Sequence, residues 1–133
     1  MIKPYSALFT IFLLSHLSFS QNIDSLIQNG SKLRTIGNPD LAILEYKKAL
    51  TINKKSSDAN YEVAYTYQIL NDFKNTIKYC NRVISLKSTR IIEAFVLKGS
   101  AFDYLGNQKN QLDCIAKQLK NIQTITYLNT IWE

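Results

Sequence analysis

Histidine is nearly absent from this 133-residue chain, which contains one histidine, two cysteines and one tryptophan. The two thiols, Cys80 and Cys114, are too few to build a structural zinc site. Alternation of apolar and polar residues with a period of two is also missing, apart from residues 122–127, so β-strands are not expected. We expect both cysteines to be buried free thiols, with a disulfide between them as the alternative.

The first twenty residues differ in composition from the rest of the chain. Lys3 is followed by an apolar run over residues 5–14, and small residues stand at both ends of Ser18-Phe19-Ser20. This layout predicts a secretory signal peptide that is cleaved before Gln21. The apolar run is too short to cross a hydrocarbon core of about 30 Å, although a retained membrane anchor is the alternative.

Cleavage before Gln21 would remove Lys3 and also His16, the only histidine. The formal net charge would fall by one, from +6 to +5. A chain without histidine cannot use Ser–His or Cys–His catalysis or histidine-ligated metals, and no carboxyl group has an apolar setting that would make it a general acid. We therefore expect an exported, periplasmic or secreted protein that is not an enzyme and needs no cofactor.

Three stretches of the chain repeat one pattern, at offsets of 34 and then 35 residues. Each begins with a small residue, which is followed three places later by a large one. An aliphatic residue comes three places after that, and a residue that tolerates positive φ comes next. A fixed period in this range is typical of a solenoid of stacked helix pairs. The four columns are Gly30, Ala64, Gly99; Leu33, Tyr67, Phe102; Ile36, Leu70, Leu105; and Gly37, Asn71, Gly106.

The second half of the first unit adds Ala42, Tyr46 and Ala49 after Pro39. With these residues the chain resembles the tetratricopeptide repeat family, whose first helix has a small-x-x-aromatic pattern and whose second has Ala-x-x-x-aromatic-x-x-Ala. The family's tryptophan near the start of each unit and its closing proline are absent. The resemblance implies an all-α, right-handed α-solenoid of about three helix-turn-helix repeats.

The repeat columns divide the chain into five segments. We expect Asn38 and Asp72 to be N-caps of second helices, and Ser88 or Thr89 to cap the first helix of the third unit. The last second helix is expected to end near Asn121 and to be followed by a short capping helix. The segments are a signal peptide over 1–20, repeats over 21–56, 57–90 and 91–124, the last with a degenerate second helix, and a capping segment over 125–133.

The resemblance also implies a binding surface, because the family binds partners along the concave face formed by first helices. The function that it implies is a non-catalytic scaffold or adaptor of the cell envelope that holds a protein or peptide. The alternative is a regulatory or sensor segment of an envelope signalling system. The residues expected on this face are Arg34, Asp58, Tyr61, Tyr65, Gln68, Glu93, Ser100, Asp103 and Tyr104.

The best-known ligand mode of the family clamps a peptide's C-terminal carboxylate with Lys, Asn and Arg side chains. This sequence has other residue types at those places, so this clamp is not expected here. Tyrosines suit peptide recognition because they are rigid and amphipathic, although they could equally serve packing alone. The residues at the clamp places are Ile27, Ser31, Glu62, Glu93 and Leu97.

The cations are concentrated in the second helices or just after them, with 11 of the 15 that remain after cleavage. Because the resemblance places second helices on the outside, we expect a basic outer surface. It is either a simple solvated face or a surface attracted to an anionic envelope, so membrane contact is at most peripheral. Nucleic acid is not expected to meet an exported chain.

The end of the chain carries apolar residues on a short segment. Three repeats are near the minimum for a stable solenoid, and a cap of this length would cover the last apolar face only in part. We therefore expect self-association or partner docking at this end. The residues of this terminal apolar patch are Ile125, Leu128, Ile131 and Trp132.

Overall fold

The computed structural model describes the backbone of residues 22–132 and the side chains in that range except those of residues 108, 111 and 125–132. The described residues form helices and turns only, so the all-α prediction is confirmed. The predicted signal peptide and the side chains of the terminal apolar patch lie outside the described part. The helices are α1 over residues 22–35, α2 (Pro39–Ile52), α3 (Ser57–Ile69), α4 (Phe73–Ser85), α5 (Ile91–Tyr104) and α6 (Gln108–Trp132).

The turn between the helices of each pair is built in the same way three times. Gly37, Asn71 and Gly106 have φ values of 84°, 58° and 67°, in the left-handed region that glycine and asparagine tolerate best. In each turn, the residue after the left-handed one donates its backbone N–H to the carbonyl oxygen five residues before it, at 2.9 Å. This arrangement satisfies carbonyl groups at the end of a helix, and it confirms the predicted helix stops.

Small residues at the helix contacts allow the six helices to stack closely. Each of α2 to α5 packs against the next helix, and α3 also contacts α5. Because α3 and α5 are both first helices, the first helices lie side by side along one face. The core between the helices includes Ala42, Tyr46, Ala49, Ala59, Val63, Ala64, Cys80, Val83 and Ala94.

A buried asparagine takes the place near the start of the second repeat where the family has tryptophan. Asn60 is fully buried in α3. Its amide nitrogen donates to the carbonyl oxygens of Lys54, at 3.1 Å, and Ser56, at 2.8 Å. The Ser56 hydroxyl also accepts from the backbone N–H of Ala59 and so caps α3. The loop between the first two repeats is therefore held by polar bonds in place of aromatic packing.

The predicted N-cap of α5 is wrong, and that of α2 is right in position but lacks a side-chain capping bond. Helix α5 begins at Ile91, later than a cap at Ser88 or Thr89 would place it, and no side chain caps it. The physical reason is that Lys87 adopts a left-handed φ of 49° and the Ser88 hydroxyl pairs with that of Ser57 at 2.5 Å. Asn38 precedes α2 but its side chain makes no capping bond.

The end of the solenoid also differs from the prediction. Helix α6 runs without a break through 25 residues, from Gln108 to Trp132. The predicted stop near Asn121 and the separate capping helix after it are therefore absent. No glycine or proline stands between residues 108 and 132 to break the helix, so the chain continues in one direction.

Candidate functional site

The inner face of the stack is formed by the first helices α1, α3 and α5, which are tied together by polar side chains. Arg34 of α1 and Glu62 of α3 form an ion pair at 2.5 Å. Six residues further along α3, the Gln68 amide donates to the hydroxyl of Ser100 in α5 at 3.1 Å. These bonds join repeat to repeat on the face where the sequence predicts a partner to bind.

Arg34 is the centre of the bonds on this face. Its guanidinium donates to the Tyr46 hydroxyl at 3.0 Å and to the Thr66 hydroxyl at 3.2 Å, as well as to Glu62. The guanidinium also lies over the ring of Tyr65, with its central carbon 4.9 Å from the ring centroid. A guanidinium held in this way by a carboxylate, two hydroxyls and an aromatic face is fixed in position.

Glu62 links a second arginine to the first. Its other carboxylate oxygen accepts from Arg90 at 3.4 Å, and Arg90 also pairs with Asp58 at 3.3 Å and Glu93 at 3.7 Å. The Arg90 guanidinium lies 3.8 Å from the centroid of the Tyr61 ring. Both arginines are therefore already neutralised by carboxylates of the chain itself.

Two tyrosines stack in line between these arginines. The rings of Tyr61 and Tyr65 are nearly parallel, at 7°, with centroids 6.4 Å apart. Tyr65 is exposed, whereas Tyr61 is half-buried. Together with the two arginines and the shared carboxylate they form what we call the groove cluster: Arg34, Tyr61, Glu62, Tyr65 and Arg90.

A hollow of about 300 Å³ opens beside the groove cluster. It is lined by three carboxylates, those of Asp24, Asp58 and Glu62, and by one cation, Arg90. The Asp58 side chain is 63% exposed, so most of its surface faces solvent in spite of its ion pair. The hollow is therefore a place where negative charge is accessible.

Burial sets the protonation of the phenol groups on this face. Desolvation raises the pKa of Tyr46 above 10.0, although bonds from Ser31 and the charge of Arg34 oppose the rise. Burial also raises the pKa of Tyr61, against the opposing charge of Arg90. Both phenols are therefore neutral hydrogen-bonding groups at physiological pH.

The remaining predicted residues are more scattered. Asp103 lines a second hollow, between α5 and α6, together with Ser100. Tyr104, which is 68% exposed, stacks on Phe73 at the start of α4, with ring centroids 4.8 Å apart and an angle of 1°. It contributes to the edge of the inner face and is not joined to the groove cluster.

Two residues that the sequence analysis did not assign to the inner face are central to its geometry. Arg90 pairs with Glu62, which the sequence places only at a clamp position, and the hydroxyl of the buried Tyr46 accepts from Arg34. A signal for Tyr46 was present, because a buried tyrosine usually needs a hydrogen-bond partner. Arg90 stands in a loop between repeats, so no helical spacing indicates its direction.

Metal ligands, membrane spans and reactive thiols are other features that could carry a function. In the part of the chain that the structure describes, no three Asp, Glu, Cys or His side chains gather as metal ligands would. None of the described helices combines the length and apolar character that crossing a bilayer requires. Cys80 and Cys114 are buried free thiols, and burial raises the pKa of Cys80 to about 12.

Comparison with known proteins supports the repeat pattern. The family model of the tetratricopeptide repeat matches residues 57–90. A search of curated proteins finds no match. Among solved structures, the MamA protein superposes with a TM-score of 0.74 at 21% identity, over 80% of this chain and 57% of that one. This chain therefore spans little more than half the length of that structure.

Two further structures match nearly over their whole length. The N-terminal domain of stress-induced protein-1 from C. elegans has a TM-score of 0.74 at 14% identity, covering 86% of this chain and 98% of that one. The second tetratricopeptide domain of Spaghetti, bound to the HSP90 peptide SRMEEVD, has a TM-score of 0.68 at 20% identity, covering 74% and 91%. Residues 57–90 are thus a tetratricopeptide repeat, and the chain around them has the fold of a tetratricopeptide-repeat solenoid.

Proposed function

We propose that this protein is an exported, non-catalytic scaffold of the cell envelope that binds a peptide segment of another protein along its inner face. The observation that carries the proposal is the groove cluster, whose two stacked tyrosines on α3 lie beside the accessible carboxylate of Asp58. Rigid aromatic rings beside charged groups are typical of protein recognition surfaces. The bound Spaghetti domain is a precedent for a peptide ligand on this fold.

The titratable groups of the inner face support a binding role in preference to a catalytic one. Arg34 and Arg90 are ion-paired, and burial raises the pKa values of Tyr46 and Tyr61. Neither of these two phenols is therefore poised to exchange protons near neutral pH.

Charge defines the kind of peptide that fits. The peptide in the Spaghetti complex has three acidic residues and one arginine. On this chain such a peptide would meet Asp24, Asp58 and Glu93, while both arginines are occupied by carboxylates of the protein. We therefore propose that the ligand is a segment with lysine or arginine side chains, one of which enters the hollow beside Asp24.

The test compares two labelled heptapeptides that differ only in having three lysines or three glutamates, by fluorescence anisotropy. The lysine peptide should bind more tightly, and added salt should weaken it. Replacing Asp24→Asn together with Asp58→Asn should raise its Kd by about three- to tenfold, because two accessible charges are lost. Asp113→Asn, an exposed carboxylate on α6, is the matched control and should change nothing. Tighter binding of the glutamate peptide, or an equal loss in the control, would refute the proposal.

A further inference from the structure

A cleft of about 820 Å³ opens where the second and third repeats meet. The end of α4, the start of α5 and the middle of α6 line it, and pockets for small molecules typically measure about 300–1,000 Å³. Three lysines stand among its lining residues, and no described carboxylate does. We call this hollow the lysine cleft, and its lysines are Lys87, Lys117 and Lys120.

The charge of these lysines is not neutralised within the described part of the chain. All three are exposed, and none of them forms an ion pair there, in contrast to the two arginines of the groove cluster. Lys117 and Lys120 are three residues apart and share one side of α6, whereas Lys87 comes from the turn after α4. Asp113 is one turn before Lys117 but does not line the cleft. Positive charges from two elements thus meet at one cleft, which attracts an anion.

The apolar lining of the lysine cleft is recessed. It consists of Ile84, Ile91 and Phe95, which we call the floor. The two isoleucines are half-buried, and Phe95 is only 6% exposed. Apolar side chains that enter a bilayer have to protrude from the protein surface, so this floor cannot reach hydrocarbon that stays in a membrane. An apolar ligand has to come to the floor as a separate molecule.

The lysine cleft has few hydrogen-bonding groups besides its lysines. Asn121 and Thr124 are the other polar side chains described in its lining. The Thr124 hydroxyl already donates to the carbonyl oxygen of Lys120, at 2.9 Å. A peptide backbone on the floor would lose hydrogen bonds to water without replacement, which is costly, whereas a hydrocarbon chain has none to lose. The lining therefore favours an alkyl chain over a peptide.

The preceding junction between repeats shows that the repeat itself does not require this lining. At an offset of 35 residues, Phe95 corresponds to the polar Asn60, and Lys120 corresponds to the uncharged Ser85. Helices of the first and second repeats pack together with those residues in place. The aromatic part of the floor and one of the three charges are therefore particular to the lysine cleft.

We propose that the lysine cleft binds a single-chain amphipathic anion of the fatty-acid class. The hydrocarbon chain lies on the floor, where its burial is favourable, and the carboxylate lies among the three ammonium groups. The ligand is a monomer that has left its lipid phase, because the floor is recessed. The lysine cleft shares no residue with the groove cluster, so this site is separate from the one that binds a peptide.

Calorimetric titration of the full chain with dodecanoate, below its micelle concentration, tests the charge of the site. Dodecanoate should bind, and both dodecyltrimethylammonium and acetate should bind at least about tenfold more weakly, because each lacks one half of the ligand. Lys117→Gln with Lys120→Gln should raise the Kd for dodecanoate by about three- to tenfold. Lys74→Gln with Lys78→Gln removes two exposed lysines of α4 outside the cleft and should change nothing. An equal loss in this control would show general attraction between charges and overturn the proposal.

Filling the lysine cleft tests its place without changing any charge. Thr124→Trp should raise the Kd for dodecanoate by more than about tenfold, because the indole occupies the floor. Thr51→Trp on α2 is the matched control, since Thr51 is also exposed and bonds only a backbone carbonyl oxygen, that of Lys48 at 2.6 Å. Dodecanoate that binds residues 1–20 would bind every variant alike. Unchanged binding in Thr124→Trp, or binding of phosphatidylglycerol vesicles without binding of monomeric dodecanoate, would overturn the proposal.

Discussion

Gly30 is a point of close approach between α1 and α2. A Cβ atom at this residue would lie 2.8 Å from both Cδ1 and Cζ of the Tyr46 ring, and closer still to Cε1. The ring has little room to move, because Tyr46 is fully buried and its hydroxyl accepts from Arg34. The absence of a side chain at Gly30 is thus a condition for the groove cluster as well as for the packing.

Gly30→Ala is therefore expected to lower the free energy of unfolding by about 1–3 kcal/mol, through overpacking against a fixed ring. Gly99→Ala is the matched control, since its Cβ would meet only the Cβ of Cys114, at an ordinary 3.9 Å. The control should be neutral or stabilising by up to about 1 kcal/mol, because alanine favours helix over glycine and meets no clash here. Urea denaturation of both variants measures the difference, and an equal loss in the two would contradict the argument.

The sequence could not distinguish these two glycines. Both stand in one column with Ala64, and the pattern predicts the same helix contact at each. The difference lies in the opposite helix, where Gly30 faces the large ring of Tyr46 and Gly99 faces the small side chain of Cys114. Which residue opposes a given position depends on helix rotation, and a one-dimensional pattern does not contain that rotation.

The beginnings of the second helices also vary although their columns match. Asp72 accepts from the backbone N–H of Asn75 at 3.1 Å and so caps α4. Asn107 accepts from the N–H of Asn110 at 3.3 Å. Asn38 makes no such bond, and the start of α2 relies on Pro39, whose fixed φ favours the first helical turn.

Asp72→Ala is expected to lower the free energy of unfolding by about 1 kcal/mol. Bonds from the Asn75 side chain, and then from its backbone N–H, lower the pKa of Asp72 below 3.8. The stabilisation is therefore complete above the unfolded pKa and is lost as the pH falls through the lowered folded pKa. Asp72→Asn keeps a hydrogen-bond acceptor without the charge, so the variant should retain most of the wild-type stability at pH 7. The contribution of this residue to the loss of stability in acid should vanish, because asparagine does not titrate. Urea denaturation at neutral and acid pH would contradict this if wild type and Asp72→Asn lost stability in parallel.

At the scale of helices, the predicted helix ends are right where a glycine or an asparagine follows the last turn. Gly37, Asn71 and Gly106 end their helices in the left-handed region, as their types favour. The start of α5 was predicted wrongly because Lys87 also adopts that region, which lysine rarely does. The place of Arg34 on the inner face could be predicted from the repeat pattern. Its ion pair could not, because Glu62 comes 28 residues later and only the packed helices bring the two together.

The whole molecule separates its charges between two faces. The inner face has more carboxylates than cations, and its two arginines are paired. The eleven cations predicted for the outer surface are all exposed in the structure. They are Lys47, Lys48, Lys54, Lys55, Lys74, Lys78, Arg82, Lys87, Lys109, Lys117 and Lys120.

A basic cleft of about 610 Å³ lies on this outer surface, between α2 and α4. Lys47, Lys54 and Arg82 line it with the hydroxyl groups of Thr51 and Ser85, and no carboxylate is among its lining residues. Cations without a carboxylate beside them are attracted to surfaces of negative charge. We therefore propose that the exported chain rests against an anionic surface of the envelope through its second helices, while the inner face remains open to a peptide.

This proposal and the predicted signal peptide are tested by one fractionation of the native host. If the chain is exported and cleaved, N-terminal sequencing of the envelope fraction should begin at Gln21, without the apolar run over residues 5–14. The cleaved chain should leave the membranes in about 1 M salt, because screening at that ionic strength shortens the range of charge attraction to about 3 Å. Lys47→Gln with Lys54→Gln and Arg82→Gln should shift it to the soluble fraction at low salt, whereas Lys32→Gln, a cation of α1, should not. A chain that keeps Met1 and leaves the membrane only with detergent would mean that residues 1–20 are an anchor, and the charge of the outer surface would then have no part in holding the protein there.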